Sequence, residues 1–213
     1  MIDNQLLSRA YLEATYWWVN WESYYHTVFR KWKLKTAATL VEGDYALFYD
    51  FAKQYSVIRT VTGGKVVLDQ LLRTLVDEPF LSEVTQGTVE VIDGYADVLS
   101  HEENKLTSLL SKFATLVNPS DFTMYDGLAK VGLARLLYGQ DSSRKHREYS
   151  TFHVDWLAAR AMLKDLVSTR SMDLHYHYVC SSFDTDSSLL TRDIYFNRVT
   201  DKYLWWLGRG VPQ

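Results

Sequence analysis

The chain has 213 residues, of which 47% are hydrophobic, 15% aromatic and 23% charged, with a formal net charge of -3. That composition excludes a disordered chain, and so small a negative charge excludes a protein that coats a polyanion through bulk charge. The single cysteine, Cys180, excludes an intrachain disulfide, and no window approaches the ~20 uninterrupted apolar residues of a membrane span.

The first ten residues include Asp3, Asn4, Gln5 and Arg9 and no apolar run, so no signal peptide is expected and the compartment reads as a reducing cytoplasm. Just 3 prolines and 10 glycines, with long stretches of helical period, predict an all-α fold. The expectation is one compact multi-helix domain over residues 1–213, with 1–100 and 101–213 as lobes if a cleft divides it.

From about Asn4 to Lys33, Trp17, Trp21, Tyr24, Tyr25, Val28 and Trp32 recur at spacings of three and four, the stripe of an amphipathic helix. Tyr11, Trp18, Tyr25 and Phe29 mark a neighbouring face, so this helix is expected to be buried on more than one side or to offer a stacking surface. Asp44 is the expected N-cap of a helix through Phe48, Phe51, Ala52 and Tyr55. Thr62, Gly63 and Gly64 then break the chain. Lys65 to Val76 reads as the next helix, stopped by Pro79. Phe80 to Gly94, rich in β-branched residues, reads as helix with a short extended piece.

His101 to Val117 is predicted as a helix with a Ser100/Glu103 capping box, ended by Asn118 and Pro119. Helical character resumes from Asp126, at the N-terminal edge, to Tyr138, with Gly139 as C-cap. Gln140 to Ser150 is a polar connector. A helix through Phe152, Trp156, Ala159 and Leu163 follows. Ser168 to Ser188 reads as a long irregular excursion, and a last helix runs from about Arg192 to Leu207.

The common nucleotide, hydrolase and zinc signatures are missing: there is no G-x-G-x-x-G, G-x-S-x-G, H-E-x-x-H or C-x-x-C, and Gly63-Gly64-Lys65 lacks the Ser or Thr of a P-loop. His175 and His177 lie close enough to share a metal, but nothing nearby completes the ligand set except Asp173; packed or surface histidines are the ordinary reading, and no metal or cofactor is expected.

One stretch carries chemistry. Lys112 and Asp126 stand fourteen positions apart, linked through Asn118-Pro119, so a helix, a reversal and a second helix connect an amine to a carboxylate. A carboxylate at a helix start is favoured in its ionised form by ~0.3 to 1 kcal/mol. It is suited to stabilising an oxocarbenium-like sugar during glycosidic cleavage. A lysine is a competent nucleophile only where burial or another cation lowers its pKa. Beside this stands the plainer reading. Lys112 shares a flank with Lys105 and Ser108, away from the apolar stripe, which periodicity alone assigns to solvent, and Asp126 serves as an N-cap.

The pattern Ser111-Lys112, then Pro119, Phe122, Tyr125 and Asp126, resembles the helix-hairpin-helix DNA glycosylases, especially the divergent group with the 8-oxoguanine glycosylase fold. Tyr55-Ser56-Val57-Ile58-Arg59 and Asp201-Lys202-Tyr203-Leu204-Trp205 are weaker echoes, so scattered pieces cover about half the chain. No L-P-G-[VI]-G hairpin precedes Lys112. The resemblance implies an all-α enzyme that flips a modified base out of DNA and cleaves its N-glycosidic bond. Asp126 would be the catalytic carboxylate and Lys112 a Schiff-base amine or electrostatic aid. Its expected setting is genome repair or defence against phages with modified DNA.

On this reading Tyr125, Trp17, Trp21 and Arg59 are candidate base-binding residues, with a tryptophan stripe more often core than pocket. Arg144, Lys145 and Arg147 in the connector are the candidate DNA-phosphate contacts, and Arg30, Lys31, Lys33 and Lys35 form a second basic cluster. The rival expectations are a non-catalytic helical nucleic-acid-binding protein and a protein-interaction module using the aromatic surface.

Overall fold

The computed structural model describes residues 3–61, 63–77, 79–99, 106–139, 146–167, 169–183 and 189–210. All regular structure among them is helical, so the fold is all-α. The principal helices are α1 (Asn4–Trp17), α2 (Ser23–Phe29), α3 (Glu42–Gln54), α4 (Gly64–Asp77), α5 (Phe80–Gln86), α6 (Val91–Leu99), α7 (Thr107–Val117), α8 (Gly127–Tyr138), α9 (Tyr149–Leu166), α10 (Thr169–Ser182) and α11 (Arg192–Arg209). They fall into two compact units, one made of residues 1–24 and 125–213, the other of residues 25–124. The first unit draws on both ends of the chain, a division that a linear cut at residue 100 does not reproduce.

In the unit of residues 25–124 the core is aromatic. Phe113 of α7 meets Phe29 edge-on at 5.0 Å between ring centroids, Phe48 at 5.4 Å, and Phe80 in a stack at 6.3 Å. Every residue of α7 except Ser108 is buried. A helix surrounded on all sides must satisfy its polar side chains internally, and Ser111 and Thr115 do so by donating to the carbonyls of Ser108 (3.2 Å) and Ser111 (2.7 Å). The N-cap assigned to Asp44 belongs instead to Val41. Asp44 lies inside the first turn of α3, accepts from the Val41 amide at 2.9 Å and pairs with Lys35 at 2.6 Å. Gly87, at φ 80°, ends α5, and α6 starts four residues later, so the β-branched stretch forms two short helices. Residues 100–105, including the proposed capping box, lie outside the described residues.

In the other unit, α1 ends in a π-helical turn over Trp18–Glu22, where the expected continuous helix is interrupted. The expected excursion at 168–188 contains α10. Its buried Met172 and Val179, with half-buried His175 and Tyr176, keep helical spacing, which Asp173, His177 and the serines obscure in a count of apolar residues. α8 and α11 are the closest pair. Gly132 packs against the backbone of Leu204 and Gly208 against that of Leu128, so the two helices run antiparallel with their main chains nearly in contact. Arg135 of α8 closes the arrangement by donating to the carbonyls of Leu207 (2.6 Å) and Gly208 (3.2 Å) at the end of α11.

This unit also buries phenols. Tyr195 shares a 3.0 Å hydrogen bond with Thr15, and Tyr11 stacks on His175 at 4.2 Å. Burial pushes both phenols up to about 12. An unfolded phenol deprotonates near 10, so the stability held by these neutral groups is complete below pH 10 and is lost as pH rises toward about 12, at roughly 2.5 kcal/mol per phenol. Denaturant midpoints measured from pH 9 to 12 should therefore fall, and the fall should be shallower in Tyr195→Phe. An equal slope in that variant refutes the assignment.

Candidate functional site

Lys112 is 7% exposed, a correction to the solvated flank that periodicity assigns it. The local backbone explains where its ammonium goes. At the end of α3 the Ser56 amide donates to the Lys53 carbonyl and the Val57 amide to the Ala52 carbonyl, with Ser56 left-handed at φ 56°. That C-terminal motif leaves the Tyr55 carbonyl outside the helix ladder, and the Lys112 Nζ donates to it at 3.2 Å. Lys112 thus belongs to the unit of residues 25–124, as does Arg59, which is exposed on the turn Ile58–Thr60.

Asp126 belongs to the other unit. It is the N-cap of α8, its Oδ1 accepting from the Leu128 amide at 2.9 Å, and it is half-buried. One turn further on stands Lys130, half-buried, with its Nζ 3.2 Å from the Tyr125 hydroxyl and 4.4 Å from that ring's centroid. Burial lowers the Lys130 pKa, and the Asp126 carboxylate opposes that shift. Tyr125 is buried. Its hydroxyl donates to the carbonyls of His146 (2.7 Å) and Arg147 (3.0 Å), which ties the end of the connector to the start of α8. His146, with no exposure, is held by Asp155 at 2.9 Å, and Tyr138 donates to the same carboxylate at 2.6 Å. Arg147 is exposed; Arg144 and Lys145 lie outside the described residues.

A second group in this unit is unusual because of where its charges lie. Glu22 and Arg198 are each 1% exposed and Asp201 is 7% exposed. Asp201 takes the indole N–H of Trp156 on Oδ1 at 2.8 Å and faces the Arg198 Nη2 with Oδ2 at 2.9 Å. The Nε and Nη1 of Arg198 have no hydrogen-bond acceptor among the described residues. Leaving such donors buried costs about 1 to 3 kcal/mol, more for a charged group. Lys202, one turn beyond Arg198, is half-buried, and its Nζ lies 4.3 Å above the centroid of the half-buried Trp17 ring. Burial lowers the Lys202 pKa; Glu22, Asp201 and Glu13 raise it and Arg198 lowers it further. Trp21, also half-buried, keeps an indole N–H without an acceptor among the described residues.

Of the predicted site residues, then, Asp126, Tyr125, Trp17, Trp21 and Arg147 share one unit, and Lys112 and Arg59 the other. Lys130, Glu22 and Arg198 were missed. The signal for the last two is in the sequence. Glu22 stands four residues after Trp18, and Arg198 and Asp201 interrupt the stripe Ile194, Leu204, Gly208; a charge at an apolar helical position is an anomaly with a cost. Among the described residues no group of three or more His, Cys, Asp or Glu is placed to hold a metal, His175 and His177 included, and no helix is long and apolar enough to cross a membrane. No family model matches the chain, and it matches no curated protein and no solved structure.

Proposed function

We propose that the protein is a DNA glycosylase-like enzyme that extrudes a modified base and hydrolyses its N-glycosidic bond. The observation that carries this reading is the Asp126 carboxylate at the N-terminus of α8, standing in the Ser111-Lys112…Tyr125-Asp126 pattern. In the reaction the C1′–N bond breaks with its electron pair leaving on the base, which takes a proton from solvent. Positive charge develops on the sugar, and water adds at C1′ to leave an abasic site. The half-buried carboxylate at the start of α8 stabilises that charge or orients the water.

The resemblance gives Lys112 the amine's role, which an amine plays only in its neutral form. In the lyase variant of the chemistry the neutral amine attacks C1′, the base departs, and ring opening yields an imine that borohydride reduces to a stable adduct. Incubating the protein with duplex and single-stranded DNA bearing candidate lesions or phage-type modifications should release free base and leave abasic sites. Release of no base from such a panel defeats the proposal. If the lyase route operates, a borohydride-trapped adduct should form with the wild type and be absent in Lys112→Gln. An adduct that persists in Lys112→Gln assigns the amine elsewhere, and Lys130→Gln is then the variant to trap.

A further inference from the structure

We propose that the end of the α8–α11 pair that carries Asp126 grips a DNA backbone through the guanidinium groups of Arg209 and Arg9, with Arg147 at the same end. The inference deepens the glycosylase reading and rests on it for the choice of DNA as the polyanion.

The close crossing brings these residues to one end. Gly208 packs against the Leu128 backbone, so the last turn of α11 lies beside the first turn of α8. Arg209 follows Gly208, and Asp126 caps the turn that holds Leu128. The connector reaches the same place, because the Tyr125 hydroxyl holds the Arg147 carbonyl at 3.0 Å. This end is open: Gly127 is exposed, and a Cβ built on it meets nothing within 4 Å.

Two exposed arginines are held here on indoles. The half-buried rings of Trp205 and Trp206 pack edge to face with 5.2 Å between centroids. The guanidinium carbon of Arg209 lies 5.3 and 5.4 Å from those two centroids, and that of Arg9, on α1, lies 5.1 Å from the centroid of Trp206. Both forks therefore stand around one indole and reach the same short stretch of a strand. Neither has a hydrogen-bond or ion-pair partner among the described residues. An arginine in the last turn of a helix ordinarily serves the terminal carbonyls, but Arg135 already donates to those of Leu207 and Gly208. Arg209 is left over. Asp3, the acid that starts α1, is turned onto the amides of Gln5 and Leu6.

The kind of partner follows from these contacts. A planar fork with spare N–H groups matches the oxygens of a phosphate, and stacking on an indole fixes its orientation before the phosphate arrives. The rings lie beneath the cations, so they offer neither a wedge to a bilayer nor a platform to a base. What remains is contact with the backbone, which positions a strand without reading its sequence. A net charge of -3 gives the chain no general attraction for DNA, so the attraction has to come from a local group of cations such as this.

The test is binding rather than excision, so its failure and a failure to release base are separate results. A fluorescein-labelled duplex of about 20 base pairs of unmodified DNA is titrated with the full chain at about 50 to 200 mM KCl and followed by anisotropy. Arg209→Gln and Arg9→Gln should each weaken binding about three- to tenfold at the lower salt and reduce the slope of log affinity against log salt by about one. Arg209→Lys keeps the charge without the fork, and should keep the slope while losing about threefold in affinity. Arg73→Gln removes an exposed arginine that also lies on an aromatic ring, that of Tyr45, but in the unit of residues 25–124, and should bind like the wild type. No salt-dependent binding by the wild type, unchanged slopes in the Arg9 and Arg209 variants, or an equal loss in Arg73→Gln overturns the proposal. So does a result in which the Arg9 and Arg209 variants bind the duplex normally but no longer bind phosphatidylserine vesicles.

Discussion

Gly132→Ala should cost about 3 kcal/mol or more, at or beyond the upper end of ordinary overpacking. A Cβ built at Gly132 collides with the Leu204 carbonyl oxygen and comes within 2.8 Å of its carbon and 3.0 Å of the Gly208 nitrogen; one at Gly208 collides likewise with Leu128. Every obstacle is main chain, so no rotamer change relieves it, and α8 and α11 must separate. Separation costs packing around Leu133, Ala134, Leu204 and Tyr203, all buried, and stretches the Arg135 bonds to the end of α11. For a chain of this size each kcal/mol moves Tm by about 2 to 4 °C, so a fall of roughly 10 °C is expected. In urea the midpoint should drop with the slope unchanged. Gly208→Ala should behave alike, and the pair should cost less than the sum, because one separation relieves both clashes. Gly94 is the control: exposed within α6 with nothing within 4 Å of a built Cβ, its change to alanine should stabilise by about 0.5 to 1 kcal/mol. A Gly132→Ala midpoint equal to wild type refutes the close crossing.

What was legible in the sequence was local. The Asp126 cap and the Gly139 stop of α8 read directly because each depends on one side chain and a few backbone groups around it. α10 did not read, since its buried stripe is only a residue or two per turn and its propensities are poor. The Gly132–Gly208 contact did not read either: nothing about either glycine alone says that another helix's carbonyl occupies the space where a side chain would stand. The same holds for the two-unit division, which joins residues near position 10 to residues near 195.

For the site, periodicity went wrong where burial was not amphipathic. Lys112 shares a polar flank with Ser108 and Thr115, and such a flank normally faces water. Here the Thr115 hydroxyl returns its hydrogen bond to α7's own backbone, and the Lys112 ammonium donates to a carbonyl left over at the end of α3. The opposite anomaly, a charge inside an apolar stripe, was visible at Glu22 and Arg198 and is the more dependable pointer, because only a partner or a ligand offsets its desolvation.

Asp126 is where charge and capping can be separated by substitution, and where the largest effect on the proposed activity is expected. Asparagine caps a helix about as well as aspartate, so Asp126→Asn should retain the bond to the Leu128 amide and stay within about 0.5 kcal/mol of wild type. It removes the negative charge, and base release should fall about 100- to 1000-fold, the scale on which a preorganised electrostatic partner of a transition state is worth. Asp126→Ala removes cap and charge together, and should lose a comparable amount of activity while also costing about 1 kcal/mol of stability. Asp126→Ser restores the cap without a carboxylate and should recover stability but not activity. Base release under single-turnover conditions and urea midpoints on the same preparations check all three. If Asp126→Asn and Asp126→Ser release base at the wild-type rate, the carboxylate is only the first hydrogen bond of α8, and the chemistry assigned to it belongs elsewhere.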